Sequence, residues 1–199
     1  MKKPPPPTGP SPAAEPDPDT LLMIRVRDDD MEAYTLLVER YQQRVVNTVF
    51  RYTGDGAGAE DLAQEVFIKI FKARKSWEPV AKFSTWLFRI VTNICLNEIR
   101  NRKHRPNVSL DDNPLLDPGQ EDPAAIETSR KELVHAVRKA LDSLPENQRM
   151  AVVLNKWEDQ SYEQIGEAMN LSVPAVKSLL FRARQAMKDQ LEKFLSPDA

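Results

Sequence analysis

Apolar residues recur every three or four positions along most of this chain, which is the spacing of amphipathic α-helices. After the three aspartates at 28–30, the pattern predicts a helix over residues 31–41, and a second helical pattern continues to Tyr52. Further helices are predicted over about residues 59–74 and 84–103, with a break at 53–56 between them and the earlier pattern, and Pro106 ends the last one. No segment alternates convincingly as a strand, so the predicted fold class is all-α.

The C-terminal part of the chain carries the pattern of a helix-turn-helix. Ser161 and Gln164 have the spacing of a capping box, in which each side chain bonds the other residue's backbone. A short turn at residues 170–172 follows, and Ser172 can cap the next helix. That helix directs one apolar stripe inward, formed by Val173, Val176, Leu180, Ala183 and Met187. Its opposite side is polar and basic, as in a helix that enters the major groove of DNA.

Shifts in composition divide the chain into four parts. Eight of the sixteen prolines lie in the first eighteen residues, so we expect residues 1–19 to form a disordered arm. Residues 108–128 contain six acidic residues and no basic one, which is typical of a flexible linker. The expected organisation is therefore a small helical domain over 20–106, an acidic linker over 107–128, and a second helical domain over 129–196.

Composition excludes several classes of protein. The 199 residues carry a net charge of only −2, so any affinity for nucleic acid must be local. A single cysteine, Cys95, excludes an intrachain disulfide and a cysteine-based zinc site. His104 and His135 fit no ligand or triad pattern, so we expect no metal, no cofactor and no catalysis. Because no apolar run could cross a bilayer or serve as a leader, we expect an unprocessed cytoplasmic protein without membrane insertion.

Positive charge concentrates around the fourth predicted helix. Residues 74–105 contain eight basic and two acidic residues, and they also contain two tryptophans and two phenylalanines. Cations interleaved with aromatic rings suit single-stranded nucleic acid, because bases stack on the rings while the cations follow the phosphates. Asn93 and Asn97 lie one helical turn apart and can bond base edges. The alternative is that the aromatic residues belong to the core and the cations form a solvated face.

The third predicted helix has more apolar surface than one buried stripe requires. Leu62, Val66, Ile70 and Ala73 form the expected inward stripe, whereas Phe67, Ile68 and Phe71 fall beside it. An apolar patch outside the core marks a partner surface, unless another helix of the same domain covers it. The helix alone does not decide between these two arrangements.

Three ordered blocks of sequence resemble one family. They are DLAQEVFIKIF at 61–71, FSTWLFRIVTNICLNEIRNRK at 83–103, and LPENQRMAVVLNKWEDQSYEQIGEAMNLSVPAVKSLLFRAR at 144–184. Together they resemble the extracytoplasmic-function (ECF) sigma factors of the sigma-70 family, and they are similar to the sigma-E type. The resemblance implies two domains, σ2 and σ4, that bind core RNA polymerase and recognise the −10 and −35 elements of promoter DNA. It also implies an anti-sigma factor as a partner, a monomer when partners are absent, and no enzymatic activity.

The resemblance also implies three sets of contact residues. The set expected to bind core polymerase is Asp61, Gln64, Glu65, Ile68 and Phe71. The set expected at the −10 element, where a base of the non-template strand is flipped out, is Ser76, Trp77, Lys82, Thr85, Trp86, Asn93, Asn97 and Arg100. The set expected at the −35 element is Arg149, Pro174, Lys177, Ser178, Phe181 and Arg182.

Three positions depart from the family pattern. Trp86 is followed by Leu87 where housekeeping relatives carry two adjacent tryptophans, so we expect weaker DNA melting and a stricter promoter. Leu179 stands where many relatives have arginine, which puts one phosphate contact in doubt, and Ala175 stands where threonine is common.

Two other functions fit parts of the sequence. One is a DNA-binding regulator that uses the helix-turn-helix without polymerase and dimerises through its N-terminal domain. The other is a single-strand binding or remodelling protein that uses residues 77–105 with little sequence preference. Activity that depends on core polymerase distinguishes a sigma factor from both.

Overall fold

A computed structural model describes residues 17–103 and 124–195. These residues form eight α-helices and one short 3₁₀ turn at Arg74–Ser76, with no strand among them, which confirms the all-α fold class. The helices are α1 (Pro18–Arg27), α2 (Met31–Thr53), α3 (Gly56–Ala73), α4 (Phe83–Lys103), α5 (Ala124–Asp142), α6 (Glu146–Lys156), α7 (Tyr162–Met169) and α8 (Val173–Leu195). Residues 1–16 of the expected arm, the helix stop at Pro106 and the linker up to residue 123 lie outside the described residues. Residues 18 and 19, which are expected in the disordered arm, are instead the start of α1.

Helix α2 is one continuous helix, which corrects the expectation of two helical segments. The predicted cap is present, since the Asp30 carboxylate accepts a hydrogen bond from the backbone N–H of Ala33 at 3.0 Å. Gly54 ends the helix with a φ of 79°, a left-handed conformation that glycine adopts without steric penalty. Buried side chains continue at helical spacing through the expected boundary, namely Leu37, Tyr41, Val45, Val49 and Tyr52. Contact with the core therefore keeps α2 intact.

Helices α1 to α4 enclose the core of the first domain. Helix α1, which the sequence pattern did not predict, buries Thr20, Met23 and Val26. The Thr20 hydroxyl accepts a hydrogen bond from the backbone N–H of Phe83 at 3.1 Å, which ties α1 to the start of α4. Helix α3 begins at Gly56, three residues earlier than predicted, because the Asp55 carboxylate caps it by accepting from Gly58 N–H at 2.9 Å.

Helices α5 to α8 form the second domain, which contains the predicted helix-turn-helix. Helix α5 begins at Ala124, so the last residues assigned to the linker are helical. The capping box at the start of α7 is confirmed, with Ser161 and Gln164 bonding each other's backbone N–H groups. At Gly166 a Cβ atom would lie 2.7 Å from the carbonyl oxygen of Leu171, so only glycine allows the turn to approach α7 this closely.

The two domains pack against each other. Helix α7 lies against α4, and α6 lies against α2. The contact includes a buried carboxylate, Glu158, in the turn between α6 and α7, which faces Thr48 and Arg44 on α2. This arrangement, in which the helix-turn-helix rests on α4, is referred to below as the closed arrangement.

The described ranges, 17–103 and 124–195, contain neither a membrane-spanning helix nor a cluster of metal-binding side chains. No helix in them is both long and apolar enough to cross a membrane. Within the same ranges, no group of three or more histidine, cysteine, aspartate or glutamate side chains could hold a metal ion.

Candidate nucleic-acid interfaces

The outward side of α8 presents a row of polar, basic and aromatic side chains. Lys177 and Arg182 are exposed, and Phe181 is 71% exposed even though it is a large apolar residue. The Arg182 guanidinium donates to the Ser178 hydroxyl at 2.9 Å, so the two side chains lie together on this face. Pro174 is exposed at the start of the same helix. An exposed helix face of this chemistry can bond guanine acceptors and pack on a thymine methyl group in the major groove.

The α8 face is held by a buried stripe on the opposite side of the helix. Val176, Leu180 and Ala183 are each at most 2% exposed, as the sequence pattern predicted, whereas Val173 and Met187 of the same predicted stripe are partly exposed. At the start of the helix, the Ser172 hydroxyl accepts from the backbone N–H of Ala175 at 3.4 Å. Apolar burial fixes the rotation of α8, so the polar residues point away from the protein.

A second exposed face runs along α4. Asn93, Asn97 and Arg100 are exposed there, and Trp86 is partly exposed at the same side of the helix. The other side of α4 is buried over a wide arc that includes Leu87, Phe88, Val91, Thr92, Ile94 and Cys95. Helices α2 and α3 cover part of this arc, and α7 lies against α4 as well. The face that carries Asn93 and Asn97 therefore stays exposed, although another side of α4 contacts the second domain.

Sequence reasoning missed one side chain on the α4 face. Arg89 is exposed and lies three residues after Trp86 and four before Asn93, which is the spacing of neighbours on one helix side. That spacing was visible in the sequence. A cation between a ring and an amide can contact the phosphate of a nucleotide whose base lies on the ring.

Two residues expected at the −10 element are buried instead. Trp77 is 5% exposed and its ring lies 6.0 Å from that of Trp86, centroid to centroid. Thr85 is 4% exposed in the first turn of α4. The structure thus corrects their placement. Both side chains pack under the loop and helix face that the sequence placed them on, so they support the surface from below.

The loop before α4 does present exposed residues. Ser76 and Lys82 lie at its two ends and are exposed, and Val80 between them is 86% exposed. Its base is held by Asp29, whose carboxylate accepts from Arg74 at 3.0 Å and from Lys75 at 2.5 Å. Hydrogen bonds from Lys75 and Arg74 lower the pKa of the Asp29 carboxyl. The loop therefore projects from a fixed base beside the open face of α4.

Arg102 pairs with carboxylates of its own domain, so its guanidinium is not presented to a partner. It donates to Glu98 at 2.7 Å and to Asp55 at 2.5 Å, and Asp55 is the cap of α3. The Gly58 backbone and the Arg102 guanidinium both lower the pKa of the Asp55 carboxyl. Arg100, two residues earlier, is exposed, whereas Arg105 lies outside the described residues.

Helix α3 presents the third exposed face. Asp61, Gln64 and Glu65 are exposed in consecutive turns, and Ile68 continues the row with 51% of its surface exposed. Of the other apolar residues beside the stripe, Phe67 is buried and Phe71 is partly exposed. Phe67 is only 8% exposed, and the Phe71 ring lies 5.2 Å from Tyr34 with the Arg74 guanidinium 3.9 Å from its centroid. The apolar excess on α3 is thus partly core and partly an exposed patch around Ile68.

Arg149 lies away from the other residues expected at the −35 element. Its guanidinium donates to the backbone carbonyls of Tyr52, at 3.1 Å, and of Asp142, at 2.5 Å, and its side chain is 14% exposed. Burial lowers the pKa of Arg149. In the closed arrangement this arginine joins the two domains, and it does not share a surface with Lys177 and Arg182.

Comparison with known proteins identifies both domains. Residues 37–105 match sigma-70 region 2, and residues 135–187 match sigma-70 region 4. The chain is 35% identical over 184 residues to the ECF RNA polymerase sigma-E factor of Escherichia coli K12, covering 89% of this chain and 96% of that protein. It is 34% identical to the RNA polymerase sigma-H factor of Pseudomonas aeruginosa, covering 89% of this chain and 95% of that protein.

Two solved structures share the fold. CnrH, in complex with the cytosolic domain of CnrY, aligns with a TM-score of 0.67 at 21% identity, covering 92% of this chain and 100% of that one. The sigma factor RpoE from Bartonella quintana, in complex with the anti-sigma factor NepR, aligns with a TM-score of 0.64 at 21% identity, covering 80% of this chain and 96% of that one.

Proposed function

Since this chain belongs to the ECF sigma factors of the sigma-70 family, we propose that it joins core RNA polymerase and directs transcription initiation at specific promoters. The observation that carries the proposal is that one chain exposes two reading faces of different chemistry. One is a basic helix-turn-helix face on α8, and the other is an asparagine-bearing face on α4. A regulator that works without polymerase has no use for the second face, and a single-strand binding protein has no use for the first.

The α8 face is suited to duplex DNA at the −35 element. Lys177 and Arg182 can bond guanine acceptors or phosphates, Ser178 can bond either, and Phe181 can pack on a thymine methyl group. Pro174 begins the same surface. Arg149 is assigned to this set by the family resemblance, and it can reach DNA only after leaving its partners on α2.

The α4 face is suited to an unpaired nucleotide of the −10 element. A flipped base costs a few kcal/mol of unstacking, which contacts in the receiving site must offset. Asn93 and Asn97 supply amides for the base edge, and Trp86 supplies a ring for stacking. Lys82, Arg89 and Arg100 supply positive charge for phosphates, and Ser76 lies at the edge of the adjoining loop. Trp77 and Thr85 hold this surface in place from within.

The α3 face is suited to core polymerase. Ile68 supplies an apolar centre, and Asp61, Gln64 and Glu65 surround it with polar and acidic groups. Phe71 lies at its edge. A small exposed apolar patch with a polar rim is typical of a protein interface.

Several further points follow from family membership. The protein acts without catalytic chemistry or a cofactor, in the cytoplasm where polymerase and promoter DNA are found. An anti-sigma factor holds it inactive until a signal releases it, and it is a monomer when free of partners. Co-purification of bound proteins from cells identifies that inhibitor.

Promoter binding with and without core polymerase tests the proposal. In a gel-shift series on a labelled fragment with both elements, the free protein is expected to bind weakly, and core polymerase is expected to make binding strong and sequence-specific. Tight, specific binding by the free protein that core polymerase leaves unchanged would support the polymerase-independent regulator. Binding without sequence preference in both series would support the single-strand binding protein.

A further inference from the structure

The turn between α6 and α7 buries a carboxylate against the first domain. The Glu158 side chain is 2% exposed, and its oxygens lie 2.6 Å from the Thr48 hydroxyl and 3.0 Å from the Arg44 guanidinium. Thr48 and Arg44 both lie on α2, more than a hundred residues earlier in the chain. An acidic side chain is buried this deeply only when partners are available. Here the partners belong to the other domain, so Glu158 is fully paired only in the closed arrangement.

The second part of the interface lies at the C-terminal end of α2. Arg138 donates to the carbonyl oxygens of Phe50 and Arg51, both at 3.1 Å, and Arg149 donates to that of Tyr52, also at 3.1 Å. The last carbonyls of a helix have no partner within the helix, and the helix dipole favours positive charge there. Two arginines of the second domain therefore cap a helix of the first.

The interface also contains groups that favour its opening. Within the described residues, four buried polar side-chain atoms lack a hydrogen-bond partner, and they lie on elements that meet where the domains touch, namely Tyr52 Oη, Thr92 Oγ1, Arg149 Nε and Gln160 Oε1. Water can satisfy these groups once the domains separate. The single Thr48 hydroxyl hydrogen also faces two acceptors, Glu158 Oε1 and the Arg44 carbonyl oxygen at 2.7 Å. The closed arrangement thus has defined contacts between the domains but leaves some buried polar atoms without a hydrogen-bond partner.

The closed arrangement does not fit the spacing of promoter elements. Helices in direct contact lie about 8–10 Å apart, so α8, which packs on α7, is within roughly 20 Å of α4. Two DNA sites separated by two helical turns are about 70 Å apart. The twenty residues from 104 to 123 join the domains, and an extended chain of that length spans at most about 70 Å. Both faces can engage one promoter only when the domains are apart.

We propose that the contacts around Glu158 form a latch, in which Arg44 and Thr48 bind the buried carboxyl group and Arg138 and Arg149 cap α2. The latch holds the free protein closed and must open before both promoter elements are engaged, and the Glu158 charge sets how tightly it closes. This inference rests on the proposed function for its consequence, although the latch itself can be measured in the free protein. The closed form uses Arg149 to cap α2, so closure also withholds one side chain assigned to the −35 element. The α3 face stays exposed in the closed form and is available to polymerase first.

Opposite changes in the two partners test the latch. Arg44→Gln leaves the buried Glu158 charge without the guanidinium that donates to it, and we expect the ratio of open to closed molecules to rise about tenfold or more. Glu158→Gln removes the buried charge while its amide can donate to Thr48, so the ratio is expected to fall. In a chain that already carries Glu158→Gln, adding Arg44→Gln is expected to change the ratio little. The matched controls are Arg40→Gln, one turn earlier on α2 and paired with Asp19, and Glu167→Gln, exposed on α7.

The ratio of open to closed molecules is measured in the free protein from the distance between two spin labels. The labels are attached to cysteines that replace Lys69 and Lys188. Both positions are exposed, one in each domain, while Cys95 is fully buried and does not compete for the label. We expect one short distance in the parent chain and in both controls, and a second, longer distance in Arg44→Gln. A parent chain with only long distances, or equal effects of Arg44→Gln with and without Glu158→Gln, would overturn the latch.

Transcription with core polymerase separates failure of the latch from failure of the proposed function. With unlabelled proteins, Arg44→Gln is expected to speed formation of open promoter complexes and Glu158→Gln to slow it. One outcome is that the parent chain supports promoter-specific transcription while the label distances are identical in all variants. That outcome would refute the latch and support the sigma-factor function. The other outcome is that the distances shift as expected but no variant supports promoter-specific transcription. That outcome would refute the proposed function and support the latch as a property of the fold.

Discussion

Arg149 and Arg182 are arginines of one domain whose surroundings assign them different tasks. Arg182 is exposed on α8 and donates to Ser178 of its own helix, so its guanidinium can turn toward DNA without breaking that domain's contacts with the other domain. The side chain of Arg149 is 14% exposed between the domains and donates to three backbone carbonyls, those of Tyr52, Asp142 and Leu144. At the residue scale, exposure and existing partners decide which side chain is available for recognition.

Replacing Arg182 with alanine tests its role as a base-reading residue. We expect Arg182→Ala to cost about 1–3 kcal/mol of binding at one position of the −35 element, with little effect on other sequences. Competition between promoter fragments, each altered at one base pair, measures the loss, and Lys188→Ala on the same helix is the control. An equal loss on every fragment would make Arg182 a phosphate contact.

Asn93 is expected to act in DNA opening and not in folding. It is exposed, so Asn93→Ala is expected to leave the melting temperature unchanged and to reduce open complexes more than duplex binding. Permanganate reactivity of thymines near the start site measures opening. The buried Trp77 provides the contrast, because Trp77→Ala is expected to lower the melting temperature. Unchanged permanganate reactivity in Asn93→Ala would contradict the assignment.

Glu158 makes the closed arrangement sensitive to pH. Burial raises the pKa of Glu158 above its usual value, and the Thr48 hydroxyl and the Arg44 and Arg51 charges oppose the rise only in part. A carboxyl with a raised pKa binds its proton more tightly in the closed form than in the open form. Closure is therefore weakest above the raised pKa and strengthens as the pH falls through it toward the usual glutamate value.

The label distances described above, measured between about pH 8 and pH 5, test this dependence. The fraction of closed molecules is expected to increase toward the acidic end in the parent chain, and Glu158→Gln is expected to remove most of the change. A pH response of the same size in Glu158→Gln would show that other groups control it.

At the scale of the element, helix α3 combines a structural side with a binding side. Ile68→Asp places a charge on the exposed apolar patch, and we expect it to reduce co-purification with core polymerase at least tenfold while the helical circular dichroism spectrum is retained. Leu21→Asp on α1 is the control, since Leu21 is exposed to a similar degree, 47% against 51%. Normal recovery of core polymerase with Ile68→Asp would move the polymerase contact away from this face.

The elements that the sequence predicted best are those defined by local signals. They are the capping box at Ser161 and Gln164, the turn to Ser172, and the buried residues of the α8 stripe. Each depends on residues only a few positions apart in the sequence. The continuity of α2 through residue 41 depends on a core built by other helices, and it was predicted wrongly. Phe67, Trp77 and Thr85 are buried for the same reason. A helical pattern shows which side of a helix is apolar, but not which distant element covers it.

The contacts between the domains were beyond sequence reasoning altogether. Glu158 and Thr48 are 110 residues apart. Glu158 lies within the block at 144–184, but that block does not indicate which distant residue it contacts. A lone glutamate in a turn is ordinarily exposed, and nothing nearby in the sequence indicates burial. Arg149 illustrates the consequence, since family resemblance placed it at DNA and the closed arrangement places it at the end of α2.

On the scale of the whole molecule, the protein has three exposed faces and one interface between domains that can open. These features are expected of a factor that works only within a larger assembly. The α3 face stays available while the domains are closed, whereas the α4 and α8 faces can serve one promoter together only after the domains separate. Binding to polymerase before binding to DNA is the order that these geometries favour. The protein is therefore expected to be a weak DNA binder alone and a specific one in the holoenzyme.

Run-off transcription with purified core RNA polymerase on genomic DNA fragments tests this account most directly. We expect transcripts with discrete start sites that require this protein, and we expect their loss when the −10 or the −35 element upstream is altered. Transcription that never depends on the added protein, at any fragment of the genome, would contradict it.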